Sequence, residues 1–347
     1  MRAEEIRRVG GALRAEVTAV RTLAGGYSHE TCLLTLSGRD AVVARLGGPD
    51  PAVEAAVMAR ARAVVPVPEV LTVLPAAPGC RAVMLLEHVA GTPLGDVLDH
   101  TLGDVRADGR ADGRADGRGG AGDVGGEELR GLGAEVGRVV AAVGGVRFER
   151  PGFFTGEALT PGMEQPWSAQ LPSFAASCMA AEPVLGRLDA ATRRGWAALC
   201  AAHAPALARV ERHSRLAHAD ANPKNILVSR APGGGWRVSA LLDWEFAYAG
   251  SPYGDAANML RFAADYPAPF VAGFRAAFAA GLPADLPPDR DWAYLGRVLD
   301  MFALSDLVTR ARTNVVVERA AEEIRRWVAH GVPDAPSTTH QGAPRRA

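Results

Sequence analysis

The spacing of apolar side chains changes several times along the chain. Residues 3 to 15 set apolar positions at helical intervals among charges, which predicts a short amphipathic helix. From 17 to 47, the stretches VTAVRTL, HETCLLTL and DAVVARLG alternate apolar and polar positions around glycine breaks, the period of strands joined by tight turns. Residues 51 to 65 return to helical spacing behind Pro51, a residue suited to a first helical turn. RAVMLLEHVAG, at 81 to 91, reads as a short apolar strand ended by glycine. Strand, strand, helix and strand within residues 1–92 predict a small mixed lobe. From 127 to 331 the pattern is mostly helical, with runs at 127–143, 167–210, 252–281, 290–312 and 314–331. The fold class expected is therefore α+β, a small β-rich lobe before a larger helical one, with a ligand cleft between them.

One non-helical island interrupts the helical half. ILVSR, the turn APGGGW and RVSALL have the lengths and the Pro/Gly break of a β-hairpin. Between the two lobes, residues 103–126 carry a tandem Ala-Asp-Gly-Arg repeat with nothing to fill a core. They are expected to be a disordered insertion, as is the tail at 332–347. Aspartates in the repeat recur every fourth position rather than every second, unlike a calcium loop.

Composition narrows the partners. A formal charge of -1 and a pI near 6.7 give no reason to expect nucleic acid or an anionic membrane. No run approaches the ~18 consecutive apolar residues of a membrane span, and the charged start argues against a secretory signal. Four scattered cysteines, with no paired spacing, suggest buried thiols in a reducing cytoplasm. Of 38 basic residues only Lys224 is a lysine, and it falls in the loop LAHADANPKNILV just before the hairpin.

Chemistry concentrates at the open end of that hairpin. Asn225 precedes its first strand and Asp243 follows its second, so strand pairing brings an amide and a carboxylate together. That oxygen pair suits a hard cation such as Mg²⁺. Asp220, five residues upstream in a loop that bends to the same end, is placed to accept a hydroxyl proton during phosphoryl transfer.

HADANPKN matches a His-x-Asp-x-x-x-x-Asn catalytic loop, and LLDWEFAYAGSPYGDAANMLRF, at 241–262, resembles the metal-binding segment of the aminoglycoside phosphotransferase and choline kinase-like family. The resemblance spans roughly residues 20 to 330. It implies a bilobal protein-kinase-like fold, ATP and Mg²⁺ as cofactors, Asp220 as catalytic base, and Asn225 and Asp243 as metal ligands. His218 would brace the loop and Asp255 would fix the metal-binding segment or cap the following helix. Glu245 has either a metal-assisting or a structural role. Lys224 either neutralises charge on the transferring phosphate or is an exposed turn residue; both stay open here.

For the nucleotide, the resemblance points to LAGGYSHET, where Gly25, Gly26 and Ser28 would approach the phosphates. Arg45 on the next strand would contact them, paired with Glu54. Glu87, His88 and Val89 would offer main-chain groups to adenine. The function implied is transfer of the γ-phosphate of ATP to a hydroxyl of a small molecule, an aminoglycoside, another antibiotic or a sugar-like acceptor. A non-catalytic nucleotide-binding pseudokinase is the alternative, with Arg45 in place of lysine as its one argument. Between 260 and 334, ten acidic residues against nine arginines give no strongly acidic surface for a polycation.

Overall fold

Every second residue of the first long strands faces one core. The computed structural model describes residues 1–23, 29–48, 50–99 and 125–336. Strands β1 (Val17–Thr22), β2 (Glu30–Leu36), β3 (Arg39–Leu46), β4 (Val70–Leu74) and β5 (Val83–Glu87) form an antiparallel sheet in the order β1-β2-β3-β5-β4. Cys32, Leu34, Leu36, Val42, Ala44, Leu46, Val83 and Leu85 bury one face, under Val9 and Leu13 of helix α1 (Ala3–Leu13). Thr31 and Arg45, directly paired across β2 and β3, belong to the other face. Helix α2 (Pro51–Ala61), whose Asp50 side chain caps Ala52 N–H at 3.0 Å, joins β3 to β4.

The strand order holds one element that periodicity does not predict. β4 is a five-residue edge strand, and its VLTVL run is apolar at four of five positions, so it lacks the alternation that marks β2. Pairing with β5 at Leu86, Leu85, Met84 and Val83 makes it a strand.

The hairpin appears as β10 (Ile226–Arg230) and β11 (Trp236–Leu241), with β6 (Thr92–Pro93) added to its edge. It is not the sole β island of the later chain. β7 (Gly152–Thr155), β8 (Thr160–Gly162), β9 (Arg215–Ala217) and β12 (Tyr248–Gly250) build a further sheet in the order β8-β7-β12-β9. These strands are three or four residues long and partly pair across distant sequence, too short for a period to show. Tyr248 pairs with both Ala217 and Phe153, so β12 and β9 are locked side by side.

Contacts group the chain into two compact units, one of Met1–Glu164 with Arg212–Pro287 and one of Gln165–Glu211 with Pro288–Ala347. The first contains helices α3 (Gly126–Val143), α4 (Tyr253–Leu260) and α5 (Ala268–Gly281). Helices α3 and α5 pack through glycines: a Cβ on Gly133 would strike the backbone of Phe270, and one on Gly273 that of Arg130. The second unit is helical, with Trp196 and Trp327 in contact at 5.8 Å and Trp196 Nε1 donating to Ser305 Oγ at 2.9 Å. Among the described residues, no helix is long and apolar enough to cross a membrane. The Ala-Asp-Gly-Arg repeat lies outside the described residues, as do 337–347.

Candidate active site

β9 runs into the loop His218-Ala219-Asp220-Ala221-Asn222-Pro223-Lys224-Asn225, and the loop runs into β10. Ala219 adopts φ +66°, a left-handed conformation that alanine rarely takes. The surroundings hold it there. Asp255, in the first turn of α4, accepts the His218 N–H at 2.9 Å and the Ala219 N–H at 2.8 Å. Asp255 is fully buried, and burial pushes its carboxyl up to about 7 against the opposing pull of those two donors. This aspartate therefore grips the His218–Asn225 loop from the segment expected to bind the metal, and the helix it starts has no side-chain cap bond.

His218 is a brace. Its Nδ1 accepts the Asp220 N–H at 3.2 Å and its Nε2 donates to Leu242 O at 2.9 Å. Burial lowers its pKa, so the ring is neutral, and these partners put the hydrogen on Nε2. The ring lies 4.4 Å from that of Trp244. One imidazole thus ties the loop of Asp220 to the residue before Asp243.

Two amides orient Asp220. Asn222 Nδ2 donates to Asp220 Oδ1 at 2.9 Å, and Asn225 Nδ2 donates to Asp220 Oδ2 at 2.8 Å. Asn222 also accepts the Lys224 N–H at 3.0 Å, closing an Asx turn. Asn222 was missed in the sequence, although Asn before Pro is a common start for such a turn. Because the Asn225 amide nitrogen bonds to Asp220, the amide oxygen is the end left to face a cation. Ile226 pairs with Leu241, and Leu242 N–H donates to Asn225 O at 2.8 Å, which sets Asn225 beside the residue preceding Asp243.

Asp243 takes φ +68° and accepts Arg45 Nη2 at 2.6 Å. The other arm of the same guanidinium, Nη1, bonds Glu54, whose carboxylate also accepts the Trp244 N–H at 3.1 Å. Arg45 and Glu54 are both buried. A forked cation spans the two carboxylates, which a single ammonium would do less well.

Of the remaining expected residues, Lys224 shares the loop of Asp220, and the others lie elsewhere or outside the described residues. Lys224 is exposed. Glu87 closes β5, where its carboxylate accepts the Glu69 N–H at 3.1 Å. With Val89 it lines an open depression of about 510 Å³ that includes Arg62, Val67 and Ser239, and none of Asp220, Asn225 or Asp243. Gly25, Gly26 and Ser28 fall outside the described residues. Asp220 bonds to Asn225, Arg45 bonds to both Asp243 and Glu54, and the Leu242 N–H to Asn225 O bond joins the two groups through the main chain next to Asp243.

An amide oxygen and a carboxylate fit a hard cation that completes its shell with waters and phosphate oxygens. Among the described residues no group of three His, Cys, Asp or Glu side chains could hold a metal, so a fully protein-ligated site of that kind is absent from them.

The sequence model of the phosphotransferase enzyme family matches residues 19–293. The chain belongs to that family. Among solved structures it resembles aminoglycoside phosphotransferase APH(4)-Ia, with 17% identity and a TM-score of 0.63 over 95% of this chain and 100% of that one. A thermostable mutant of the same enzyme, in ternary complex with ADP and hygromycin B, gives 17% identity and a TM-score of 0.61 over 93% and 97%. A candidate fructosamine-3-kinase from Thermobifida fusca YX-ER1 gives 16% and 0.54 over 92% and 98%. No curated protein matches the chain. The fold is the protein-kinase-like one of these phosphotransferases, with a sheet lobe and a helical lobe, as the sequence pattern and motifs lead one to expect.

Proposed function

We propose that this member of the family transfers the γ-phosphoryl group of ATP to a hydroxyl group of a small molecule. The observation that carries this reading is the Asp220 carboxylate, fixed by one amide donor on each oxygen and linked through Asn225 to the hairpin end that bears Asp243. A base must be held still at one place, and this loop does that.

Asp220 accepts the proton of the acceptor hydroxyl as the hydroxyl oxygen attacks the γ-phosphorus and the bond from that phosphorus to the β–γ bridging oxygen breaks, with ADP leaving. Arg45, steadied by Glu54, binds the phosphates of the nucleotide. Asn225 Oδ1 and Asp243 would hold Mg²⁺, which when bound neutralises charge on the phosphates and orients them. Lys224 stands in the same loop, exposed, and contributes a point charge there toward an incoming phosphate or acceptor.

The acceptor class follows from charge. Several of the acidic residues counted above are engaged by arginines: Asp285 by Arg147 and Arg215, Asp289 and Asp291 by Arg209, Glu323 by Arg326. Carboxylates so engaged are not set aside for a polycation, which favours a hydroxylated acceptor of modest charge such as a sugar, an amino sugar or a related antibiotic. The mutant of APH(4)-Ia seen with hygromycin B supports a place for antibiotics in the panel of candidate acceptors.

ADP release against a panel of hydroxylated antibiotics and sugars identifies the acceptor. With an acceptor in hand, Asp220→Asn should lower kcat by about 10²–10⁴-fold, the usual scale for losing a general base, and leave nucleotide affinity within a few fold. An Asp220→Asn variant that turns over at the parent rate would remove Asp220 from the role.

A further inference from the structure

One buried side chain beside the network has no task in the mechanism above. His29 immediately precedes β2, two residues before Thr31, and so continues the sheet face that Thr31 shares with its partner Arg45. Its ring fits against Gly48, where φ is +87° and where any Cβ would overlap the imidazole. Nε2 approaches Glu245 Oε2 to 3.3 Å, and the two side chains are 5% and 3% exposed. The approach is close but misaligned: both ring nitrogens are buried without a hydrogen bond. An imidazole enclosed in this way and left unsatisfied is costly unless another group completes it.

The neighbours say what that group is. Glu245, the nearest acceptor, is misaligned for the ring N–H, Arg45 lies on the same sheet face, and burial together with that guanidinium lowers the His29 pKa, which leaves a neutral ring with one N–H to donate. The donor needs an anionic or carbonyl oxygen that arrives alongside the Arg45 guanidinium. We propose that His29 is a nucleotide-phosphate ligand, its ring N–H donating to a non-bridging oxygen of the same phosphate chain that Arg45 binds. This rests on the nucleotide-dependent reading above and adds a named contact to it.

Affinity for three probes tests the assignment: MgATP, MgADP and adenosine, measured by calorimetry on the full chain. His29→Ala should weaken MgATP about tenfold or more, the scale of one hydrogen bond to a charged group, and leave adenosine unchanged. His29→Gln, which keeps an N–H at similar reach, should recover most of the loss. Gly48→Ala, whose methyl displaces the ring, should weaken MgATP in the parent and add little in the His29→Ala background. The proposal is overturned if His29→Ala binds MgATP as the parent does, or if adenosine and MgATP weaken equally. A parent protein that binds neither ATP nor GTP would instead defeat the nucleotide reading itself.

Discussion

Asp255 shows how one side chain can govern a loop it does not belong to. Both its oxygens accept main-chain N–H groups of His218 and Ala219, and this supports the left-handed turn that aims Asp220. Replacing it with asparagine turns one acceptor into a donor and leaves a buried N–H unpaired. Asp255→Asn should therefore cost about 1–3 kcal/mol of stability and reduce kcat more than nucleotide affinity. The cost depends on pH. Burial raises the folded-state pKa of Asp255 to about 7, above its ordinary value of 3.8, so its contribution is full below that ordinary value and declines as pH rises through 7. Denaturation from pH 5 to 8 should find the gap between parent and Asp255→Asn narrowing with rising pH, then flat. Asp220, Asn225 and Asp243 were legible at this scale because two sit at the ends of a hairpin that periodicity reveals. The link from Asp255 to His218 was not, because it spans 37 residues and its acceptors meet main-chain amides, which leave no mark on composition.

At the scale of elements, the helices and the long strands could be read directly, while the short strands could not. β2 and β3 announce themselves by alternation, and α2 by its proline. β7, β8, β9 and β12 exist through their pairing with one another, and a stretch such as Arg215–Ala217 carries no local signal of it. A similar tertiary cause explains the contact of α3 with α5. The stretch ELRGLGAEVG reads as a helix weakened by glycine, yet Gly133 is where the backbone of Phe270 comes closest. In isolation, Gly133→Ala should favour the helix. In the folded protein the methyl overpacks the contact, and the expected loss is about 1–3 kcal/mol by chemical denaturation; a stabilised variant would mean that the helices separate without cost.

At the scale of the molecule, the unit that carries the site is assembled from two separated stretches of chain. A linear reading draws boundaries at composition shifts and has no means to see that residues 165–211 group with residues after 287. The second unit offers a test of how local the site is. Ser305→Ala removes the acceptor for Trp196 Nε1 and should cost about 1–3 kcal/mol. Every residue assigned here to phosphates, metal or proton belongs to the first unit. Nucleotide affinity of Ser305→Ala should accordingly equal that of the parent under conditions where both are folded, as read by titration calorimetry.

The dihedral of Asp243 decides how its role can be probed cleanly. At φ +68° asparagine and aspartate are tolerated where most residues are strained. Alanine at 243 would confound two losses, a missing oxygen and an unwilling backbone. Asparagine retains the shape and the turn while deleting the charge that pairs with Arg45, so both variants lose that ion pair and Asp243→Ala should fall below Asp243→Asn in stability by about a further 1 kcal/mol. If the carboxylate carries the metal, both should lose Mg²⁺-dependent nucleotide binding to a similar degree.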